Sequence, residues 1–332
     1  MDSLFLTRVL TMAINQIVAI RTPILDRVFA RKVGQLSDRF AWDIRTSDER
    51  LLSNISVFAP ASVEDKTDRK TVTCQAPRFA PKRLISAAEL NAVRGFGEQW
   101  APELLANRIR DEQFDMRLEI DRTREYMALT ALKGVVVDAD GTELVDYGFV
   151  SAQKPDLSGA DLWTADTGDP IANIRAWKKW IADRVPNVTS FVAFSGSDVM
   201  DALINNANAR ELLQYTAGQQ IAQEGRIALL AGVEIEEYFG TYKTSGGTRT
   251  DLIPANAFML VGLSPDAFAE YYAPVVDLEA PTGVGKGVAG QMFFSKSWES
   301  PDPSGRWIKA EARPLPVVLR PEAVVYALPT DL

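Results

Sequence analysis

The sequence has no histidine and a single cysteine among its 332 residues. Without histidine there is no Ser-His-Asp or Cys-His catalytic group, no ordinary neutral-pH general base and no histidine-based metal site. One thiol, Cys74, cannot close an intrachain disulfide or build a cysteine zinc cluster. A lone thiol suits a reducing compartment. With no imidazole to activate it, Cys74 reads as a small strand residue rather than a nucleophile. Long apolar runs are missing as well: no segment approaches the roughly 18 residues that a membrane span needs. The apolar start, "MDSLFLTRVLTMAINQIVAIRTPILDRVF", is broken by Asp2, Arg8, Asn15, Gln16 and Arg21 and lacks the basic region of a signal peptide. The expected site of folding is the cytoplasm. Positive charge is in deficit, 36 Lys and Arg against 44 Asp and Glu, for a net charge of −8. That balance disfavours a general grip on nucleic acid.

What is present is ordinary globular material, 46% hydrophobic, enough for one large domain or two to three smaller pieces. Leu6, Val9, Leu10, Ala13, Ile14 and Ile17 form a helix-like stripe with no partner face nearby in sequence. Such a segment is either a docking arm or a helix laid on the main body. Residues 43–85 read as a two-stranded excursion, with β-like pieces at Ile55–Phe58 and Thr71–Cys74 around a charged tip, Glu64 to Lys70. A two-stranded ribbon is marginal alone and needs another surface. The spacing predicts a long helix over 101–133, with Pro102 in its first turn and Gly134 as its stop. Leu105, Ile109, Met116, Ile120, Thr123, Met127 and Ala131 share one face. Its middle, Arg108 to Glu125, is dense in both charges and is expected to be a solvated face or an exposed rod that meets charged neighbours. "VVVDADGTELVDYG" signals a hairpin. An α/β unit follows over 171–284: a helix with Ile174, Trp177 and Ile181 inward, the strand "SFVAFSG", and a second helix capped by Ser195 or Ser197. An arm, a ribbon and a rod expected to lack a partner within their own chain point to self-assembly.

Candidate chemistry is sparse. "APTGVGKG" lacks the first glycine and the hydroxyl of a P-loop, and no good helix follows it. It reads as a flexible crossing, with Lys286 a surface charge. "DADGTE" lacks the closing glutamate of a calcium loop, where Phe149 stands. Asp111/Asp115 and Glu236/Glu237 sit in no metal-ligand spacing. Trp163, Trp177, Trp180, Trp298 and Trp307 are not interleaved with a basic stripe, so packing explains them better than nucleic-acid stacking. No catalytic, cofactor or metal site is expected.

Taken in order, "SFVAFSGSDVMDALINNANARELL", "GVEIEEYFGTYKTSGGTRTDLIPANAFMLVG" and "WESPDPSGRWIKAEARPLPVVLRPEAVVYALP" resemble the lambda-type (E family) phage major capsid proteins. The "ALKG" end of the long helix before a hairpin, and "APRFAPKRLISAAEL" upstream, are similar as well. The resemblance covers roughly residues 20–332. It implies an α+β chain of the Hong Kong-97 capsid type. Residues 1–45 would be an N-arm, 46–85 the E-loop region, 86–170 a peripheral domain with the spine helix 101–133, 171–284 an axial domain, and 285–332 the return to the peripheral domain. The implied function is self-assembly, through hexamers and pentamers, into the icosahedral head of a tailed phage around double-stranded DNA, without sequence-specific contacts. A scaffold protein and a portal are implied partners, with room for a decoration protein, and no membrane is involved. The implied location is the virion capsid, assembled in the bacterial host cytoplasm. Interface residues expected on this basis are Asp65, Lys66, Asp68, Arg69 and Lys70 at the E-loop tip. Arg108, Arg110, Arg117 and Arg122 on the spine, and Asn205, Asn206 and Arg210 near a symmetry axis, complete the set. The alternatives are an encapsulin-like compartment on the same fold, or a nucleotide-binding enzyme acting through Gly283 to Gly287.

Overall fold

The computed structural model describes residues 6–17, 20–45, 69–86, 105–210, 226–244, 246–280, 289–302 and 304–331. In chain order the elements are α1 (Thr7–Gln16), α2 (Pro23–Arg27), β1 (Lys32–Gly34), β2 (Arg39–Arg45), β3 (Arg69–Gln75), β4 (Lys82–Ser86) and α3 (Leu105–Leu132). There follow β5 (Val135–Val137), β6 (Glu143–Asp146), α4 (Pro170–Ala182), β7 (Ser190–Ser195), α5 (Ser197–Asn205), β8 (Arg226–Leu230) and β9 (Val233–Glu237). The remainder are strands: β10 (Thr241–Lys243), β11 (Arg249–Asp251), β12 (Phe258–Leu263), β13 (Phe268–Tyr272), β14 (Phe294–Ser300), β15 (Gly305–Glu311), β16 (Pro314–Val318) and β17 (Val324–Ala327). The chain divides into two compact units. One comprises Met1–Phe40, Thr73–Ala128 and Ala269–Val317; the other comprises Ala41–Val72, Leu129–Phe268 and Val318–Leu332.

In the first unit the N-terminal stripe finds its partner within the chain. Leu10 and Ile14 of α1 cluster with Ile109, Met116 and Ile120 of α3, Ile85 of β4, and Phe293, Ile308, Ala310 and Ala312. Helix α1 therefore packs against its own unit along this stripe. Among the described residues the unit also holds the sheets β14-β15-β4 and β1-β13-β16. Trp298 and Trp307 are direct cross-strand partners with rings 6.4 Å apart, so they pack each other. Strand β16 carries two prolines and lies at a sheet edge, where a missing N–H costs no ladder bond.

The second unit holds a five-stranded sheet in the order β17-β12-β7-β9-β8. Helix α4 buries Ile174, Trp177 and Ile181, as its periodicity predicts. Asp169 caps it by accepting from the Ala172 N–H at 3.0 Å, and Pro170 occupies the first turn. Trp163 packs against Trp177 at 5.9 Å and edge-on to Phe258 at 5.2 Å, so these rings belong to the core. The hairpin β5-β6 forms where "DADGTE" predicts a turn, with Gly141 at φ +89°. Helix α3 stops at Gly134, whose φ of +101° is the left-handed geometry of a helix C-terminal stop.

Three expectations change. Helix α5 has no serine cap: Gly196 stands at the cap, and the Asp198 and Val199 N–H groups donate to Ala255 O instead. A Cβ on Gly196 would strike Pro254 O, so the close backbone approach that replaces the cap requires glycine. Strand β3 includes the expected Thr71–Cys74, but it pairs with β2 upstream; Ile55–Phe58 lies outside the described residues. The C-terminal strand β17 pairs antiparallel with β12 rather than returning to the unit that holds β14 to β16. The reason is that β12 is buried along nearly its whole length and needs an apolar neighbour on each edge, which β7 and β17 supply.

Candidate assembly interface

The charged middle of α3 is the largest departure from expectation. Glu112, Gln113, Arg117, Asp121, Arg124 and Glu125 are all buried. An interior charge is tolerated when it is paired and hydrogen-bonded, and Glu112, Arg117, Asp121, Arg124 and Glu125 each have such a partner. Arg124 donates bidentately to Glu270 at 2.8 Å and 2.8 Å and to the Tyr272 hydroxyl at 2.7 Å. Burial works against its charge, but Glu270, with Tyr272 and Asp121, outweighs it and holds the guanidinium above its ordinary range. Burial pushes the Tyr272 hydroxyl upward, and the Glu270 carboxylate adds to that. Arg117 pairs with Asp121 at 2.6 Å, donates to Ile14 O at 2.9 Å, and lies 3.6 Å over the Phe293 ring. Glu125 accepts from the Ile24 and Leu25 N–H groups, serving the open N-terminus of α2. The helix face read as solvated is thus a polar seam that fixes α1, α2 and β13 to α3.

A second buried cluster lies in the same unit. Glu311, fully buried, takes Arg78 bidentately at 3.0 Å and Lys309 at 2.8 Å. Asp277 takes Lys296 at 2.8 Å and Lys309 at 2.9 Å. Burial alone would raise the Asp277 carboxyl, but hydrogen bonds from Lys296 and Lys309 bring it down to about 2. Glu311 is likewise lowered, burial being overcome by Arg78 and Lys309.

The residues expected at an interface now separate. Arg117 and Asn206 are committed to their own units. Asn206 is buried, donates to Trp163 O and Gly168 O at 3.2 Å and 3.0 Å, and accepts from the Asn208 N–H. Their expected role at a neighbouring subunit is corrected for that reason: the polar atoms are already used inside. Arg108 is half-buried and pairs with Glu112 at 2.7 Å, beside Arg83, which gathers Glu112, Asp115 and Glu119. Lys70, Arg110, Asn205 and Arg210 are exposed, and Arg122 is half-exposed. Arg69 opens β3; Asp65, Lys66 and Asp68 lie outside the described residues.

Sequence reading missed Glu270, Arg124, Asp277, Glu311, Lys309 and Arg78. A signal existed for two of them: Glu270 is a lone acid in "FAEYYAPVV", and Glu311 sits in the apolar approach "AEARPLPVV". Gly283 to Gly287 lies outside the described residues. Among the described residues that follow, 289–293 run as coil into β14 and offer no helix N-terminus to hold phosphate. In the second unit a cleft of about 630 Å³ is lined by Trp163, Asp166, Asp198, Asp201 and Asn205 among others. Among the described residues no group of His, Cys, Asp and Glu is arranged to hold a metal, and no helix is long and apolar enough to cross a membrane.

The phage major capsid protein E family matches residues 6–328. No curated protein matches the sequence. Among solved structures, a prophage capsid protein of Escherichia coli CFT073 is 18% identical, with a TM-score of 0.65 over 97% of this chain and 98% of that one. A phage-related protein of Bordetella bronchiseptica is 13% identical, with a TM-score of 0.59 over 96% of each chain. The capsid protein of cyanophage Pam1 is 12% identical, with a TM-score of 0.55 over 95% of each. At those identities the structures speak to fold alone, and the fold they share is the α+β Hong Kong-97 type. With the family match over nearly the whole length, this chain belongs to the phage major capsid protein E family and is a major capsid protein that forms a phage head shell.

Proposed function

We propose that this chain forms the hexamers and pentamers of an icosahedral head that encloses double-stranded DNA in a tailed bacteriophage. The observation that carries this reading is the family match over residues 6–328. The role is structural, with no catalytic step. Each copy contributes several weak contacts, and closed symmetry makes them act together. The contact residues are Lys70, Arg110, Arg122, Asn205 and Arg210, with Asp65, Lys66, Asp68 and Arg69 of the E-loop, and Arg108 through its pair with Glu112. Residues 1–45 act as N-arm, 46–85 as E-loop region and the long helix as spine. A net charge of −8 suits a wall that touches DNA without gripping it. Assembly takes place in the host cytoplasm with a scaffold protein and a portal, and a decoration protein is a further partner.

Sedimentation of the purified chain with and without residues 60–72 tests the E-loop assignment. Loss of fast-sedimenting shells on deletion is expected, and equal shell yields would remove the E-loop from the account. Shells purified from a native host that carried an enzyme cargo in place of DNA would overturn the phage-head reading.

A further inference from the structure

The loop from Val275 to Ala280 is built to hold apolar side chains at the surface of its own unit. Its ends are enclosed: Val275 and Ala280 cluster with Phe294 in the core. Its middle is tied by charge and by backbone hydrogen bonds. Asp277 takes Lys296 and Lys309, the Val276 N–H donates to Glu311 at 3.0 Å, and the Glu279 N–H donates to Asp277 Oδ1 at 3.1 Å. Between these anchors Leu278 is 92% exposed and Val276 48%. Helix α1 reaches the same loop, with Thr7 Oγ1 donating to Glu279 Oε2 at 3.4 Å. That helix is apolar on two faces. Leu10 and Ile14 go inward, whereas Leu6, Val9 and Met12, spaced by three, are 57%, 40% and 54% exposed.

Exposed apolar side chains gathered on ordered backbone mark an interaction surface, and an anchor already fixed in place loses little freedom on binding. The rim carries both signs of charge: Arg8 is exposed, and the Glu279 side chain is 61% exposed. An apolar centre with one charge of each sign beside it suits a two-fold contact, in which each Arg8 would face the other copy's Glu279. We propose that the surface formed by Leu6, Val9, Met12 and Leu278 is a contact between two copies of this chain. The proposal rests on the shell-subunit reading above and names the partner of one face.

Assembly is measured by sedimentation and electron microscopy, with circular dichroism confirming that each variant stays folded. Leu278→Asp, and independently Met12→Asp, are expected to raise the concentration needed for shells by about tenfold or more. Arg8→Glu is expected to weaken assembly, and Arg8→Glu with Glu279→Arg to recover it. A photo-cross-linking residue at position 278 is expected to join two copies of the chain inside shells. Folded variants that assemble at wild-type concentrations, or a cross-link to a different protein, would overturn the proposal. If the wild type gave no shells at all, the functional reading would fail; absence of the position-278 cross-link between dissolved copies would then overturn the surface too.

Discussion

Replacing Glu270 with alanine removes both oxygens that Arg124 uses in its bidentate pair and leaves a guanidinium in the core of the first unit. Arg124 is 3% exposed and Glu270 is 0% exposed, so water cannot stand in for the lost carboxylate. Asp121 remains, but it is shared with Arg117, and the Tyr272 hydroxyl is a neutral partner. Breaking one side of a buried ion pair typically costs about 3–5 kcal/mol. Against a typical total stability of about 5–15 kcal/mol, such a loss would leave the unit marginal. The comparison that isolates the cause is the double variant Arg124→Met, Glu270→Leu. It removes both charges and leaves Asp121 with Arg117, so it should lose far less than Glu270→Ala alone. Urea unfolding of dispersed subunits, followed by circular dichroism, reads both. If Glu270→Ala cost under about 1 kcal/mol, or the double variant cost as much as the single, the claim that α3 is held by a buried charge seam would be wrong.

Acid should weaken the first unit. Asp277 titrates near 2 when folded, below its ordinary 3.8, so the folded state binds fewer protons. Its contribution is complete above about pH 4 and lost as pH falls towards 2, and Asp277→Asn should flatten that part of an acid-unfolding curve. Ala231 sits at φ +50° in the Ala-Gly turn between β8 and β9. Ala231→Asn or Ala231→Gly should therefore raise the thermal stability of the second unit by about 1 kcal/mol, read by calorimetry; an unchanged or lower midpoint would contradict this. Gly196→Ala should destabilise the same unit by several kcal/mol, because its Cβ meets Pro254 O and the start of α5 must move. A wild-type melting curve for that variant would show the contact to be dispensable.

Elements governed by local pattern were legible in the sequence. The stop of α3 at Gly134, the β5-β6 hairpin and the inward face of α4 each follow from spacing and turn chemistry among neighbouring residues. The interior of α3 was not. Arg124 and Glu270 are 146 residues apart, and a charge-dense helix reads the same whether its partners are water or a distant strand. The start of α5 failed for a related reason: two serines look like caps, but the acceptor used is Ala255 O, brought in by the chain before β12. The place of β17 beside β12 depends on which strand edge is open, which no local pattern records. Of the interface candidates, Arg117 and Asn206 turned out to serve the interior. Exposed Arg110 and Arg210 look no different in sequence from those two. The order of motifs carried the family, because it sums many weak aliphatic and turn signals over most of the chain.

The central claim is that copies of this chain close into a shell. Electron microscopy of the purified protein, concentrated under assembly conditions, tests it most directly. Closed particles of uniform diameter built from hexamers and pentamers are expected, and a chain that stayed monomeric at every concentration, with or without a scaffold protein, would contradict that claim.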